Sequence, residues 1–261
     1  MARLLQVLRE QPRACSYLPE LRASLTHRVL VDVSEAEHDA LLIRGWRRFG
    51  FDYFRPTCPG SEASDEACCE RCIPLRIAVN SFAPSKTQRR VARTRARLRV
   101  EVGPPRVDRA RLELYRRWHA DREAFRAWES SELDRQGYAT TFAFPHVAAR
   151  EFAYFLDDAT TPCAIGLHDE TGSTLSAVYF FYDPALKALS LGVINVLHAI
   201  ERAKALGITH VYLGFLVEDC PSLAYKAGFR PAERLVGRPD DDEAPLWTAY
   251  AKSRREADEL R

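Results

Sequence analysis

The apolar, aromatic run Leu175–Tyr182 (LSAVYFFY) restricts the fold more than any other segment of the chain. Bulky apolar side chains on successive residues suit a strand covered on both faces, at the centre of a sheet. Asp183 and Pro184 end that strand, because proline has no N–H to offer a ladder. Val193, Val196, Leu197, Ile200 and Ala203 then recur at helical spacing until Gly207, and residues 209–215 (THVYLGF) read as a second strand. The order strand, turn, helix, strand places the chain in the α/β (α+β) class. A short helix over 222–227 and a segment at Phe229 follow, and an earlier helix carries Leu114, Trp118, Phe125 and Trp128.

With 261 residues, 46% of them hydrophobic and 28% charged, the chain buries a full core. Residues 1–103 are rich in Cys, Arg and Pro, residues 104–240 carry the long periodic segments, and residues 241–261 read as a tail. Gly103, Pro104 and Pro105 mark the expected boundary. In the first part, Ser34 with Glu37 and Ser85 with Gln88 form two capping boxes, each opening a helix. No internal repeat is present. The N-terminal segment is interrupted by Arg3, Arg9 and Glu10, and no later stretch is apolar enough to cross a bilayer, so a cytoplasmic protein is expected.

Two clusters carry chemistry. Seven cysteines without an export signal favour reduced thiols or metal ligands over disulfides. Cys69 and Cys72 form a CxxC pair, and Cys15 and Cys58 are the obvious partners for a tetrahedral zinc site or an iron–sulfur cluster. The alternative is a set of small buried hydrophobes, which is the favoured reading for Cys163 and Cys220. The second cluster is basic: residues 86–99 hold Lys86, Arg89, Arg90, Arg93, Arg95, Arg97 and Arg99 with no acid among them. Arg90, Arg93 and Arg97 share one helical face, and Lys86 and Arg89 extend it, as expected of a surface that meets RNA phosphates. Trp46, Tyr53, Phe54 and Phe82 are aromatics able to stack on unpaired bases or to fill the core.

Through RGWRRFGFDYFRPTC, CIPLRI, FAPSKTQRRV, LSAVYFFYDP, HVYLGF and CPSLAYKAGFRPAE, the chain resembles the arginyl- and leucyl-tRNA-protein transferases of the N-end rule pathway over roughly residues 15–235. The resemblance implies a small N-terminal cysteine-containing domain and a C-terminal acyltransferase domain of the GNAT type. It implies transfer of an amino acid from aminoacyl-tRNA to a protein with N-terminal Asp or Glu, which marks that protein for degradation. Such an acceptor calls for a cation, with Arg76 the first candidate and Lys226 and Arg230 the alternatives. Tyr179, Tyr182, Tyr212 and Tyr225 are expected to line the cleft and relay a proton, with His119 a weaker candidate. An apolar pocket of Val178, Phe180 and Leu213 would take leucine; Glu218 and Asp219 would suit arginine. One departure touches the cysteines. Residues 60–68 (GSEASDEAC) separate Cys58 from Cys69 where the bacterial pattern is CxxCxxC, and Cys68 is a substitute for Cys58.

Two rival readings share parts of this pattern. A GNAT acetyltransferase needs a glycine-rich loop before the helix at Val193 to hold the coenzyme pyrophosphate, and none is there, so no coenzyme A is expected. A non-enzymatic metal- and RNA-binding protein would account for the thiols and the basic helix but not for LSAVYFFYDP or HVYLGF.

Overall fold

A computed structural model describes residues 1–60, 68–126 and 133–251, apart from the side chains of residues 125 and 126. Trp128, the side chain of Phe125 and most of the 60–68 insertion lie outside the described residues. The first part of the chain contributes β1 (Arg3–Arg9), β2 (Arg13–Ala14), β3 (Arg22–Ala23), β4 (Leu25–Val31), α1 (Glu35–Leu42), β5 (Arg47–Phe49) and β6 (Asp52–Pro56). Strands β1, β4, β6 and β5, in that order, make a small antiparallel sheet, and β2 and β3 form a separate pair. Leu30, Val33, Trp46 and Tyr53 are its core. Ser34 caps α1, and its box with Glu37 is complete.

Next come β7 (Ile73–Ala78), α2 (Lys86–Thr94), β8 (Leu98–Gly103), α3 (Arg109–Arg126), α4 (Arg135–Phe142), β9 (Ala149–Leu156), β10 (Ala164–Glu170), β11 (Leu175–Tyr182), α5 (Leu191–Ala205), β12 (His210–Leu216), α6 (Pro221–Ala224), β13 (Ala232–Leu235) and β14 (Trp247–Ala249). Eight of these strands build one large sheet in the order β14-β13-β7-β12-β11-β10-β9-β8. The run at 175–182 is an inner strand of that sheet, as expected, and α5 ends before Gly207, which has φ +73°. Among the described residues β11 and β12 are the one parallel pair; the other strand pairs are antiparallel.

The large sheet is covered on both faces. Ile194, Leu197 and Ile200 of α5 pack with Leu75, Phe152, Val211 and Phe229 on one side. Leu114 and Trp118 of α3 and Phe142 of α4 pack with Phe155, Ile165 and Phe181 on the other. The boundary expected near Gly103 does not divide the sheets. Strands β7 and β8 precede it, yet β7 lies inside the large sheet and β8 at its edge, because each finds its ladder partners far along the chain. The expected tail at 241–261 likewise carries β14, which pairs with β13.

Candidate active site

The parallel pair opens almost as soon as it forms. Its register joins Leu175 to Val211 and Ser176 to Tyr212 and extends no further. On the other edge of β12, pairing with β7 shifts register between Tyr212 and Gly214, and Gly214 has φ +72°, a left-handed conformation suited to glycine. Arg47 of the small sheet enters here. It donates to Ser176 Oγ at 2.6 Å and to the Ala177 carbonyl, and its guanidinium lies against Gly214, where an added Cβ would be 3.4 Å from Nε. Burial lowers the Arg47 pKa to about 10. One residue further along β12, the Phe215 carbonyl accepts a hydrogen bond from Lys226 Nζ at 2.7 Å. Burial first, and then the nearby Arg47 charge, lower the Lys226 pKa to about 7, against the opposing influence of the Cys220 and Cys72 thiols.

The other acceptor candidates are placed differently. Arg76 projects from β7 over the Trp247 ring at 4.3 Å; it donates to Glu233 at 2.6 Å and to Tyr212 Oη at 3.3 Å. Its charge is already balanced by Glu233, a residue 157 positions away in sequence, so Arg76 is not the open cation expected. Arg230 is exposed and donates to the carbonyl of Ala227 at 3.2 Å. Of the three, Lys226 is the one bonded to β12 beside Arg47.

The four tyrosines do not converge. Tyr179 stacks on Phe142, with ring centroids 5.2 Å apart, and burial raises its pKa. Tyr182 packs against Trp118 at 4.5 Å. Tyr212 is buried beside Arg76 and Trp247, and Tyr225 is 42% exposed next to Phe229. His119 is bonded to Glu123 on its own helix at 2.7 Å. The expected leucine pocket is also divided: Phe180 and Leu213 belong to the α5 side of the sheet, while Val178 packs on the α3 side. Glu218 accepts from Tyr250, and Asp219 pairs with Arg71 at 3.4 Å on the surface.

Cys15, Cys58, Cys69 and Cys72 are neighbours. Burial raises the Cys58 and Cys72 pKa values, Cys72 to about 12, and each of these thiols also feels Cys15 and Cys69. Cys58 exchanges two 3.4 Å contacts with the Ser24 backbone, and the Cys69 N–H donates to the Cys58 carbonyl at 3.1 Å. Among the described residues no three His, Cys, Asp or Glu side chains converge closely enough to hold a metal ion.

The basic stretch is shorter than its sequence spacing implies. Helix α2 ends at Thr94; Arg95–Arg97 form a 3-10 turn, and Arg99 lies in β8. Arg95, Arg97 and Arg99 pair with Glu201, Asp157 and Glu101. Arg97 therefore does not join Arg90 and Arg93 on one open face. Lys86, Arg89, Arg90 and Arg93 remain, exposed and lining a common hollow, with no carboxylate within ion-pair distance among the described residues. Of the aromatics, Trp46 and Tyr53 are each only 1% exposed and Phe82 packs on Phe229, so these three belong to cores.

Sequence spacing alone gives Arg47 no role. Two signals mark it: adjacent arginines in one short strand must point to opposite faces, and a glycine inside the strand pattern of THVYLGF indicates a close backbone approach. Arg48, on the opposite face, pairs with the buried Asp169.

Two family models match the chain: "Arginine-tRNA-protein transferase, N terminus" over residues 13–90 and "Arginine-tRNA-protein transferase, C terminus" over residues 110–236. An aspartate/glutamate leucyltransferase of Helicobacter hepaticus is 30% identical over 241 residues, covering 92% of this chain and 96% of the relative. A leucyltransferase of the same name from Chromobacterium violaceum is 35% identical over 227 residues, covering 87% and 89%. Among solved structures, L-PGS from Bacillus licheniformis is similar with a TM-score of 0.41 and 13% identity, over 56% of this chain and 45% of that one.

Proposed function

The chain belongs to the arginine-tRNA-protein transferase family, and from that premise we propose that it moves leucine from charged tRNA to the α-amine of proteins beginning with aspartate or glutamate, in the cytoplasm, marking them for degradation. Transfer of an aminoacyl group from tRNA to an acceptor N-terminus is the activity of the family. The choice of leucine and of acidic acceptors is carried by one observation: relatives at 30–35% identity that span 85–92% of the chain are named aspartate/glutamate leucyltransferases.

The chemistry asks little of any single side chain. An aminoacyl ester is already activated, and an α-amine with a pKa of about 7.7–8.0 has an appreciable neutral fraction near neutrality. The enzyme's task is to hold amine and ester together and to exclude competing water. The exposed quartet on α2 offers charge to tRNA phosphates. Gln88 of the same helix donates to the Gly228 carbonyl at 3.1 Å, tying α2 to the segment that carries Lys226. The nucleic-acid surface and the cationic opening therefore flank one packed contact. No described helix is long and apolar enough to cross a membrane.

The direct test is transfer of labelled leucine from charged tRNA to a peptide beginning with Asp, with arginyl-tRNA in parallel. Leucine transfer is expected. Arginine as the better donor would overturn the donor assignment, and absence of transfer from either tRNA, in salt that permits RNA binding, would overturn the whole reading.

A further inference from the structure

Two half-buried cations meet where β11 and β12 part, and each is satisfied only by neutral groups. Arg47 donates to the Ser176 hydroxyl and the Ala177 carbonyl; Lys226 donates to the Phe215 carbonyl. They flank consecutive residues of β12, since the Arg47 guanidinium lies on Gly214 and Lys226 is bonded at Phe215. Among the described residues no carboxylate is within ion-pair distance of either, and the buried Asp169 nearby is taken by Arg48. Removing like charges from water without a counter-ion is costly. A bound anion would offset that cost, so the arrangement is that of a site waiting for a negative ligand.

The half-buried setting of the two cations favours a single small carboxylate over a polynucleotide. Phosphates already have the exposed α2 quartet, which a strand of RNA can follow. The pair at the strand separation is recessed and contributed by two different parts of the fold, so it suits one planar group on a short side chain. A guanidinium has the fork geometry that such a group accepts.

We infer that Arg47 and Lys226 together form the specificity element of the enzyme, binding the side-chain carboxylate of the acceptor's first residue in the opening between β11 and β12. The inference rests on the reading that acceptors begin with Asp or Glu. Arg47 comes from the small sheet and Lys226 from the segment after β12, so acceptor selection belongs to the junction between the two sheets.

The test compares peptides beginning with Asp and Asn, which differ in charge but hardly in shape, using the full chain and leucyl-tRNA. The wild type is expected to favour Asp. In both Arg47→Gln and Lys226→Met, the Asp-over-Asn ratio of kcat/KM should fall about tenfold or more, as for loss of a charged hydrogen bond. The loss should appear in KM for the Asp peptide, with KM for leucyl-tRNA unchanged, and Arg47→Lys should restore part of the ratio. A uniform drop for both peptides would show a structural role and overturn the inference. A raised KM for leucyl-tRNA with the ratio unchanged would assign the cations to nucleic-acid phosphate and overturn it too. If the wild type itself shows no Asp preference, the acidic-acceptor reading fails first; if the wild type discriminates and the variants still do, the inference alone fails. Should Arg47→Gln not fold, Lys226→Met carries the same comparison, since the Lys226 ammonium is bonded to the Phe215 carbonyl.

Discussion

The hydroxyl of Tyr53 lies 2.9 Å from Nδ1 of His38, deep in the contact between the small sheet and the large one. His38 is 2% exposed, and burial, its largest influence, lowers its pKa from 6.5. His168, in the large sheet, is 1% exposed and is lowered to about 3 for the same reason. Both are neutral in the fold and take up a proton readily only when unfolded, so their contribution to stability is complete above pH 6.5 and is lost as pH falls toward the folded-state values. At about pH 5.5 His168 should remove about 1.4 kcal/mol, and His38 acts in the same direction. Urea unfolding at about pH 7.5 and 5.5 should show the loss, and His168→Gln should flatten the dependence; a protein more stable at the lower pH would contradict the assignment.

Arg111 and Glu151 form a buried pair that fastens α3 to β9, with Nε 2.9 and 3.0 Å from the two carboxylate oxygens. Glu151→Gln leaves a buried guanidinium with only the Asp108 carboxylate at its side. A loss of about 3 kcal/mol is expected, at the lower end of the range for breaking a buried pair, because Asp108 is retained. Denaturant titration gives the value, and a change below about 1 kcal/mol would mean that the pair is no stronger than a surface one.

Substituting Arg90 and Arg93 together by Ala should weaken binding of leucyl-tRNA while leaving kcat and the peptide KM unchanged. The slope of log affinity against log salt should flatten by about 2, one for each phosphate contact removed. Filter binding across a salt series measures it, and an unchanged slope would remove α2 from the RNA surface.

Gly214 and Gly207 make a matched pair. Both have a left-handed backbone, φ +72° and +73°, but a Cβ at Gly214 meets the Arg47 guanidinium, whereas nothing lies within 4 Å of one at Gly207. Each change to Ala should cost about 1–2 kcal/mol from backbone strain. Gly214→Ala alone should raise KM for Asp-starting peptides. Equal effects on transfer from the two variants would show that strain, and not the contact with Arg47, is responsible.

What the sequence made legible was local. The capping boxes at Ser34 and Ser85, the strand at 175–182 and the stop at Gly207 depend on neighbours within a few residues, and each is present. The basic run looks longer in sequence than it is in the fold, because Glu201 and Asp157, which neutralise Arg95 and Arg97, are far away in the chain. Arg76 looks like an open cation for the same reason, since its partner Glu233 is equally distant in sequence. The setting of Arg47 is made by two strands of another sheet, and no spacing within RGWRRFG specifies them.

The position of β7 between β13 and β12 has a consequence for synthesis. A chain emerging from the ribosome releases β7 long before either flanking strand exists, and so presents an unpaired edge while the helices and four further strands are made. Pairing over such separations is slow, and exposed edges invite association. Nascent chains stalled before residue 210 should therefore depend on a chaperone holding β7, and a gene split at Gly103 would give two fragments that fold only when they meet.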